Sequence, residues 1–355
     1  MELVRLSSFY DFQYGKGNNN PDNGGQYPVY GSNGIIGWYD KYNSEDAPVI
    51  GHIGANCGSV VWAKGKHFVT YNGVICKIKD GCNPRYGYYL LLNSNLKSRF
   101  RGAAQPFISY DLLEKVIVYN PPKAVQDKIA SILSAFDNLI ENNNKRICLL
   151  EQMAENLYKE WFVRFRFPGH ENAEFENGLP KGWKIEKLGN VANISTGKCN
   201  REDAEEDGIY PLFDRSQEIK KSSVWLKDCE AIIVPGEGTS FIPRYYWGKF
   251  NLHQRCYCIE PTINNSGKFL FYMLMLNRSY FLSVATGATV PSLRYNNFAK
   301  MKFVLPEKTL CEKYNEITTN YFGMIDSLKN ENSLLSRQRD LLLPRLMSGK
   351  LEVNI

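Results

Sequence analysis

The feature that most constrains this chain is that it is written twice. Leu6, Gly15 and Lys16 recur as Leu188, Gly197 and Lys198, an offset of 182. Tyr27-Pro28 and Gly65-Lys66 return as Tyr210-Pro211 and Gly248-Lys249 at an offset of 183. Ala47 and Leu92-Asn93 return as Ala231 and Leu276-Asn277 at 184. Gly102-Ala-Ala-Gln-Pro106-Phe-Ile-Ser-Tyr110 matches Gly287-Ala-Thr-Val-Pro291-Ser-Leu-Arg-Tyr295 at 185, and that offset persists to Pro121 and Pro306. Short loop insertions in one copy of a duplicated unit leave an ordered, slowly drifting series of this kind.

Both copies share one grammar. Short runs rich in Val, Ile, Tyr and Phe, broken by Gly, Asn, Asp and Pro, predict strands and turns. Ala47-Pro-Val-Ile-Gly51, Ser59-Val-Val-Trp62 and Gly73-Val-Ile-Cys-Lys-Ile78 are examples in the first copy. Ala231-Ile-Ile-Val-Pro235 and Arg255-Cys-Tyr-Cys-Ile259 are their partners in the second. A short apolar helix is expected next, over Tyr88 to Asn93 and over Phe269 to Asn277.

The pattern then changes period. After Pro121-Pro122, apolar residues fall at Ile129, Leu133, Phe136, Ile140, Ile147, Leu150, Ala154, Leu157 and Trp161, with Asn143 in the one polar slot. That is a heptad seam, opened by prolines suited to a helix start. A helix from Lys123 to Phe165 would be roughly 65 Å long at about 1.5 Å per residue. The second copy gives Leu310, Tyr314, Ile317, Tyr321, Met324, Leu328 and Leu335, interrupted by Glu331, Gln338 and Arg345. A shift of 188 lays Asn143 on Glu331.

Neither stripe is stable facing water, so the two seams are expected to bury each other. Ile140, Asn143, Ile147 and Leu150 would meet Leu328, Glu331 and Leu335. Chain order of domain, helix, domain, helix makes the pairing antiparallel. The predicted architecture is α+β, with two tandem mixed α/β domains, each followed by a long helix. The helices pair as an antiparallel coiled coil with pseudo-two-fold symmetry. The expected segments are 1–120 and 168–305 for the domains, with 121–167 and 306–355 for the helices. Homodimer stalks also use heptads, but seams matched in length and polar position favour pairing within the chain.

Composition bounds the function classes. No run of about 18 apolar residues occurs to span a membrane. Met1 to Tyr10 lacks the charged head and apolar core of a secretion signal. Nine cysteines without a framework fit a reducing cytosol. The net charge is +6, and most of the surplus lies outside the helical segments, which suits nucleic acid without requiring it.

Several longer motifs resemble the specificity subunit of type I restriction–modification systems, and the resemblance covers essentially the whole chain. Its carriers are Asn138-Leu-Ile-Glu-Asn-Asn-Asn-Lys-Arg146 and Leu157-Tyr-Lys-Glu-Trp-Phe-Val-Arg-Phe-Arg-Phe-Pro-Gly169. Leu179-Pro-Lys-Gly-Trp183 is similar to the family's opening of a recognition domain. Arg337-Gln-Arg-Asp-Leu-Leu-Leu-Pro-Arg-Leu-Met-Ser-Gly-Lys-Leu351 resembles its C-terminal signature. Gly102-Ala-Ala-Gln-Pro106 is similar to the loop that closes each recognition domain. Two departures stand out. The chain begins Met1-Glu-Leu-Val without the Pro-x-Gly-Trp opening, and the second closing loop reads Ala-Thr-Val-Pro without the glutamine.

The resemblance implies a non-catalytic subunit of an endonuclease and adenine-methyltransferase complex. Each domain would read one half of a bipartite, asymmetric double-stranded DNA target. The helices would set the gap and dock two methyltransferase (M) subunits, and a motor–nuclease (R) subunit would join for cleavage. S-adenosylmethionine, ATP and Mg would then belong to those partners, with no cofactor in this chain and a cytoplasmic location.

The residues agree that chemistry is elsewhere. Asn120-Pro-Pro-Lys123 has Lys where an amino-methyltransferase motif needs an aromatic residue, and no Gly-rich strand-to-helix turn precedes it. Helix initiation accounts for it. His253-x-x-Cys256-x-Cys258 holds metal-ligand types, but the cysteines share one strand face without a fourth partner, so strand packing is expected. No Walker loop, HExxH or nucleophile elbow occurs.

Candidate DNA contacts are basic and amide residues in turn-rich stretches, since Arg and Lys suit phosphates and guanine while Asn and Gln suit adenine. In the first domain they are Lys16, Asn18, Asn19, Ser32, Asn33, Lys64, Lys66, His67, Arg99, Arg101 and Gln105. In the second they are Lys198, Arg201, Arg215, Arg244, Arg255 and Arg294. The competing class is a coiled-coil adaptor with duplicated protein-binding domains. Turn-rich regions that diverge on a shared framework favour readers of two different half-sites, because a symmetric adaptor would keep its surfaces alike.

Overall fold

Beta-branched and aromatic residues fit a pleated surface packed on a core, and the short runs that carry them become strands in both copies. The computed structural model describes residues 2–17, 24–102 and 105–353. The first copy contains β1 (Leu3–Arg5), β2 (Tyr10–Tyr14), β3 (Tyr27–Gly31), β4 (Gly34–Tyr39), β5 (Ser44–Gly51), β6 (Val60–Val69) and β7 (Gly73–Ile78). Helices α1 (Pro84–Asn93) and α2 (Tyr110–Glu114), strand β8 (Ile117–Tyr119) and the long α3 (Lys123–Tyr158) follow. A small β9 (Phe175–Glu176) and β10 (Leu179–Pro180) hairpin leads into the second copy. This has β11 (Lys184–Lys187), β12 (Ala192–Thr196), β13 (Tyr210–Phe213), β14 (Lys220–Ser222), β15 (Lys227–Pro235), β16 (Arg244–Leu252) and β17 (Cys256–Pro261). It ends in α4 (Gly267–Leu276), α5 (Arg278–Val284), α6 (Tyr295–Ala299), β18 (Lys302–Leu305) and α7 (Lys308–Met347).

The duplication reaches the level of register. Among the described residues each copy forms a six-stranded sheet, ordered β2-β7-β5-β6-β3-β4 and β12-β17-β15-β16-β13-β14. Each sheet has its one parallel pair in the same place, Tyr30 opposite Val69 and Phe213 opposite Leu252. Gly51 faces Gly73 as Pro235 faces Cys256. A separate ladder pairs β1 with β8 and β11 with β18, with Leu3 opposite Tyr119 and Ile185 opposite Val304.

Contacts divide the chain into two units, residues 1–144 with 329–355, and residues 145–328. The first unit buries α1 on its sheet through Tyr86, Tyr89, Leu90 and Leu91. Pro84 opens that helix, and the Asn83 side chain accepts the amides of Arg85 and Tyr86, satisfying donors that a helix start leaves free. Ile129 and Leu133 of α3 and Leu346 and Met347 of α7 join the same core. The second unit packs α4 on its sheet through Phe269, Leu270 and Met273, closed by Ala154 and Tyr158 of α3 and Cys311 and Tyr314 of α7.

Within the first unit the helices run antiparallel, with Asp137 of α3 bonded to Arg339 of α7 and Asn143 bonded to Glu331 and Asn332. Asn332 returns a bond to Asn144 at 2.9 Å. In the second unit the Tyr314 hydroxyl donates to the Ala154 carbonyl at 2.9 Å. The α3 seam buries Ile129, Leu133, Asn143 and Ala154, with Ile140, Ile147 and Leu150 half-buried.

The α7 seam departs from its apolar pattern. Met324 is exposed, and Cys311, Tyr314, Asn315, Thr318, Ile325, Leu328, Leu346 and Met347 are buried. Thr318 faces inward because its hydroxyl bonds the Tyr314 carbonyl one turn back, so a stripe counted on apolar residues alone slips by one. Glu331 is accordingly exposed while Asn332 turns inward, and Leu335 is half-buried.

The α-helix also ends earlier than Phe165. Lys159–Val163 form a π-turn, which buries the consecutive Trp161 and Phe162. Phe162 lies 5.3 Å from Tyr314 and 6.0 Å from Trp183, ring to ring. The Trp-Phe and Pro-Lys-Gly-Trp motifs therefore build one aromatic core. Cys256 and Cys258 both pack into the apolar cluster of β13, β15 and β16.

Candidate nucleic-acid interface

In each unit a set of loops is knitted together by the same backbone bonds. After β2 the chain passes so near the β6–β7 turn that a Cβ on Gly15 would lie 2.1 Å from the Thr70 carbonyl oxygen. At Gly197 it would lie 1.9 Å from that of Leu252, so both positions demand glycine. The next residue then donates its amide in both copies, Lys16 to Val69 and Lys198 to Leu252, each at 3.0 Å. His52 donates to Asn72 at 2.9 Å, and Gly236 to Arg255 at 2.8 Å. Gly54 bonds Pro106, and Gly238 bonds Pro291.

The closing loops follow the same rule. Arg101 and Phe107 exchange backbone bonds, as do Thr286 and Ser292. Gly102 and Gly287 have φ of +89° and +124°, a region L side chains avoid. Equivalent positions follow from these bonds: Ser32 with Arg215, Ile53 with Glu237, Asn72 with Arg255, and Gln105 with Val290.

The side chains on this common frame differ. In the first unit Tyr14 is stacked between His52, at 4.3 Å, and Tyr110, at 4.0 Å. Tyr71 meets the His52 ring edge-on at 5.5 Å. Tyr14, His52 and Tyr71, with Ile53, Gln105 and Phe107, border an open cavity of about 280 Å³. Lys16, Asn33 and Gln105 are exposed and Ser32 is half-buried. Arg101 pairs with Asp111 at 3.3 Å, and Arg99 Nε donates to the Ser94 carbonyl at 3.1 Å. The Ser109 hydroxyl foremost, with Arg101 and Lys115, holds the Asp111 carboxyl below its ordinary range.

The second unit places charge there instead. Glu237 accepts Arg215 Nη1 at 2.9 Å and Arg255 Nη1 at 2.9 and 2.7 Å. The Arg255 bond above all, then both arginine charges, keeps this carboxyl below its usual range. Arg201, Arg215, Glu237, Ser240 and His253 border an open cavity of about 360 Å³. Lys198, Arg201 and Arg294 are exposed.

One predicted contact is corrected, and a second is already engaged within the protein. His67 is fully buried, its Nδ1 bonded to the Gly65 carbonyl and its ring edge-on to Tyr30; burial lowers its pKa and favours the neutral ring. A strand-interior position on β6 explains it. Arg244 lies over the Phe213 ring at 5.0 Å and donates to the carbonyls of Asp214 and Ser216. It is half-buried and braces the loop that carries Arg215. Lys64 pairs with Glu141 of α3, and Lys66 sits over the Tyr42 ring at 4.6 Å. Asn18 and Asn19 lie outside the described residues.

Tyr14, His52, Tyr71 and Glu237, which also border these cavities, are not among the basic and amide candidates of the sequence. A signal was present: Gly236-Glu237-Gly238 aligns with His52-Ile53-Gly54, a contrast of side chains beside a shared glycine.

Known proteins bear on these loops and helices together. A sequence model described as the type I restriction modification DNA specificity domain matches residues 1–152 and 180–335. The chain is 27% identical over 310 residues to the type I restriction enzyme MjaIX specificity subunit of Methanocaldococcus jannaschii, covering 78% of this chain and 71% of that one. It is 32% identical over 177 residues to the EcoDI specificity subunit of Escherichia coli, covering 49% and 39% respectively. The crystal structure of a type I restriction–modification S subunit from M. genitalium shares the fold, with a TM-score of 0.63 over 99% of this chain and 96% of that one at 18% identity.

Proposed function

This chain belongs to the type I restriction modification DNA specificity family, and from that premise we propose that its two loop clusters each read one half of a split, asymmetric DNA target. The observation that supports this most is the contrast between a repeated backbone frame and unlike side chains upon it. The first unit offers stacked rings, a histidine and amides; the second offers arginines around one carboxylate. A pair of identical surfaces would suit a symmetric ligand, whereas two unlike surfaces on one frame suit two unlike half-sites.

Segments 1–120 and 168–305 are the readers in this proposal, and 121–167 and 306–355 the helices that set the gap between half-sites. Leu139, Leu334 and Leu341 on the first unit's helices are exposed, as are Leu149, Met153 and Met324 on the second's. These apolar faces support docking of two methyltransferase subunits, with a motor–nuclease subunit joining the assembly. S-adenosylmethionine, ATP and Mg act in those partners, in the cytoplasm, and this chain is non-catalytic. Among the described residues no group of His, Cys, Asp and Glu is placed to hold a metal ion, and no helix is long and apolar enough to cross a membrane.

The test is to purify the chain with its methyltransferase partner and map methylated adenines on genomic DNA. One split sequence is expected, and the chain alone should neither bind S-adenosylmethionine nor transfer methyl groups. Methylation without sequence preference, or activity of the chain alone, would overturn the proposal. An adaptor would show neither DNA selectivity nor a gap.

A further inference from the structure

Resting on that DNA-reading function, we propose that Arg215, Arg255 and Glu237 together read one G·C base pair in the half-site assigned to the second unit. In the major groove guanine presents two acceptors, N7 and O6, and its cytosine presents one donor, the N4 amino group. The cluster offers the converse set. Two guanidinium groups supply donors, and the carboxylate lying 2.7–2.9 Å from them supplies an acceptor.

The alternative use of two arginines is a phosphate grip, and the carboxylate argues against it. A phosphate approaching either guanidinium would meet the negative charge of Glu237 within the same hydrogen-bonded cluster. A base pair presents both donors and acceptors, so it meets no such repulsion. The Arg215 and Arg255 side chains are 44% and 53% exposed and that of Glu237 is 19% exposed, which leaves donor and acceptor edges open.

The backbone beneath is held more firmly than a phosphate grip requires. The Asp214 carboxylate takes the Ser216 amide at 2.7 Å and Lys220 Nζ at 2.8 Å. Arg244 fastens the carbonyls on either side of Arg215. The Arg255 amide donates to His253 Nδ1 at 3.0 Å, and its carbonyl accepts Gly236. Base reading needs groups fixed in this way, while phosphate contacts tolerate flexible ones. The equivalent positions in the first unit are Ser32, Asn72 and Ile53, which carry no charge. The other half-site is therefore an internal control.

The experiment uses the full chain assembled with its methyltransferase partner on a randomised library of split targets. Wild type should require G·C at one position of one half-site. Arg215→Lys and Arg255→Lys keep the charge but lose the fork that grips guanine. They should relax that position by roughly tenfold to a hundredfold and leave overall salt dependence and the other half-site unchanged. Glu237→Gln should relax the same position. Lysine variants that select as wild type does, or alanine variants that weaken all sequences equally and flatten the salt slope, would assign the arginines to phosphate and overturn the proposal. A variant that still reads the first half-site has folded, so loss confined to the second half-site is a result and not a failure of assembly. A wild-type complex with no split target would instead sink the DNA-reading function itself.

Discussion

Asp137 of α3 and Arg339 of α7 meet at 2.8 Å, and the same carboxylate takes Arg85 at 3.2 Å and the Tyr89 hydroxyl at 2.5 Å. One acid thus joins both long helices to α1, the helix seated on the first sheet. Arg85 also lies over the Trp62 ring at 4.8 Å. At the matching position of the second copy, Lys268 lies over the Tyr245 ring at 5.1 Å and the Phe322 ring of α7 at 5.6 Å. Duplication has kept a cation between sheet and helix in both units while changing its partners.

Asp137→Ala should therefore destabilise the first unit by about 2–4 kcal/mol, because it leaves the partly buried Arg85 guanidinium without its counter-charge and Arg339 with Asp340 alone. Denaturant unfolding followed by fluorescence, with Trp62 close to the site, measures it. A loss under about 0.5 kcal/mol, the scale of an exposed pair, would show that the contact is incidental.

Acid should weaken the second unit through Asp214. Burial raises this carboxyl, but bonds from Lys220 and from the Ser216 hydroxyl and amide, with the Lys220 charge, outweigh it and hold it at about 2 against an ordinary 3.8. The stabilisation is thus complete above the ordinary value and is lost as pH falls from about 4 towards 2. It amounts to about 2 kcal/mol. Melting curves across that range should show the loss, and Asp214→Asn should remove that part of the slope. A variant with the same acid slope as wild type would place the effect on other groups.

Arg99 and Arg101 lie beside the first closing loop, where the Arg99 side chain donates to the Ser94 carbonyl and that of Arg101 pairs with Asp111. If they meet phosphates, replacing both with Ala should lower the salt slope of DNA binding by about 2 while leaving the preferred sequence unchanged. An unchanged slope returns them to the ordinary surface.

The helices offer a ruler test. A matched heptad inserted beside Asn143 in α3 and beside Asn332 in α7 keeps the seam in phase and adds about 10.5 Å to each helix. At about 3.4 Å per base pair, the unspecified gap should grow by roughly three base pairs with both half-sites intact. Four residues inserted in α3 alone break the phase and should abolish pairing. An active double-insertion complex with its original gap refutes the ruler, and altered half-site bases refute the assignment of base reading to the loop clusters.

The sequence by itself determined the duplication, the alternation of sheet domain and long helix, and the pairing of the two seams. These were legible because each rests on local demands: Gly15 and Gly197 where a backbone passes within contact distance, Pro121 and Pro122 at a helix start, and a heptad that no solvated helix would keep. The tertiary structure alone decided that Ile325 rather than Met324 turns inward on α7, that Asn332 joins Glu331 at Asn143, and that Trp161 and Phe162 are buried together by a π-turn. It also decided that His67 is core, that Arg244 is a brace, and that Glu237 holds two arginines from different loops. Each of these depends on partners far away in the chain. Burial and charge pairing are properties of the space around a side chain, which residue type and local spacing do not specify.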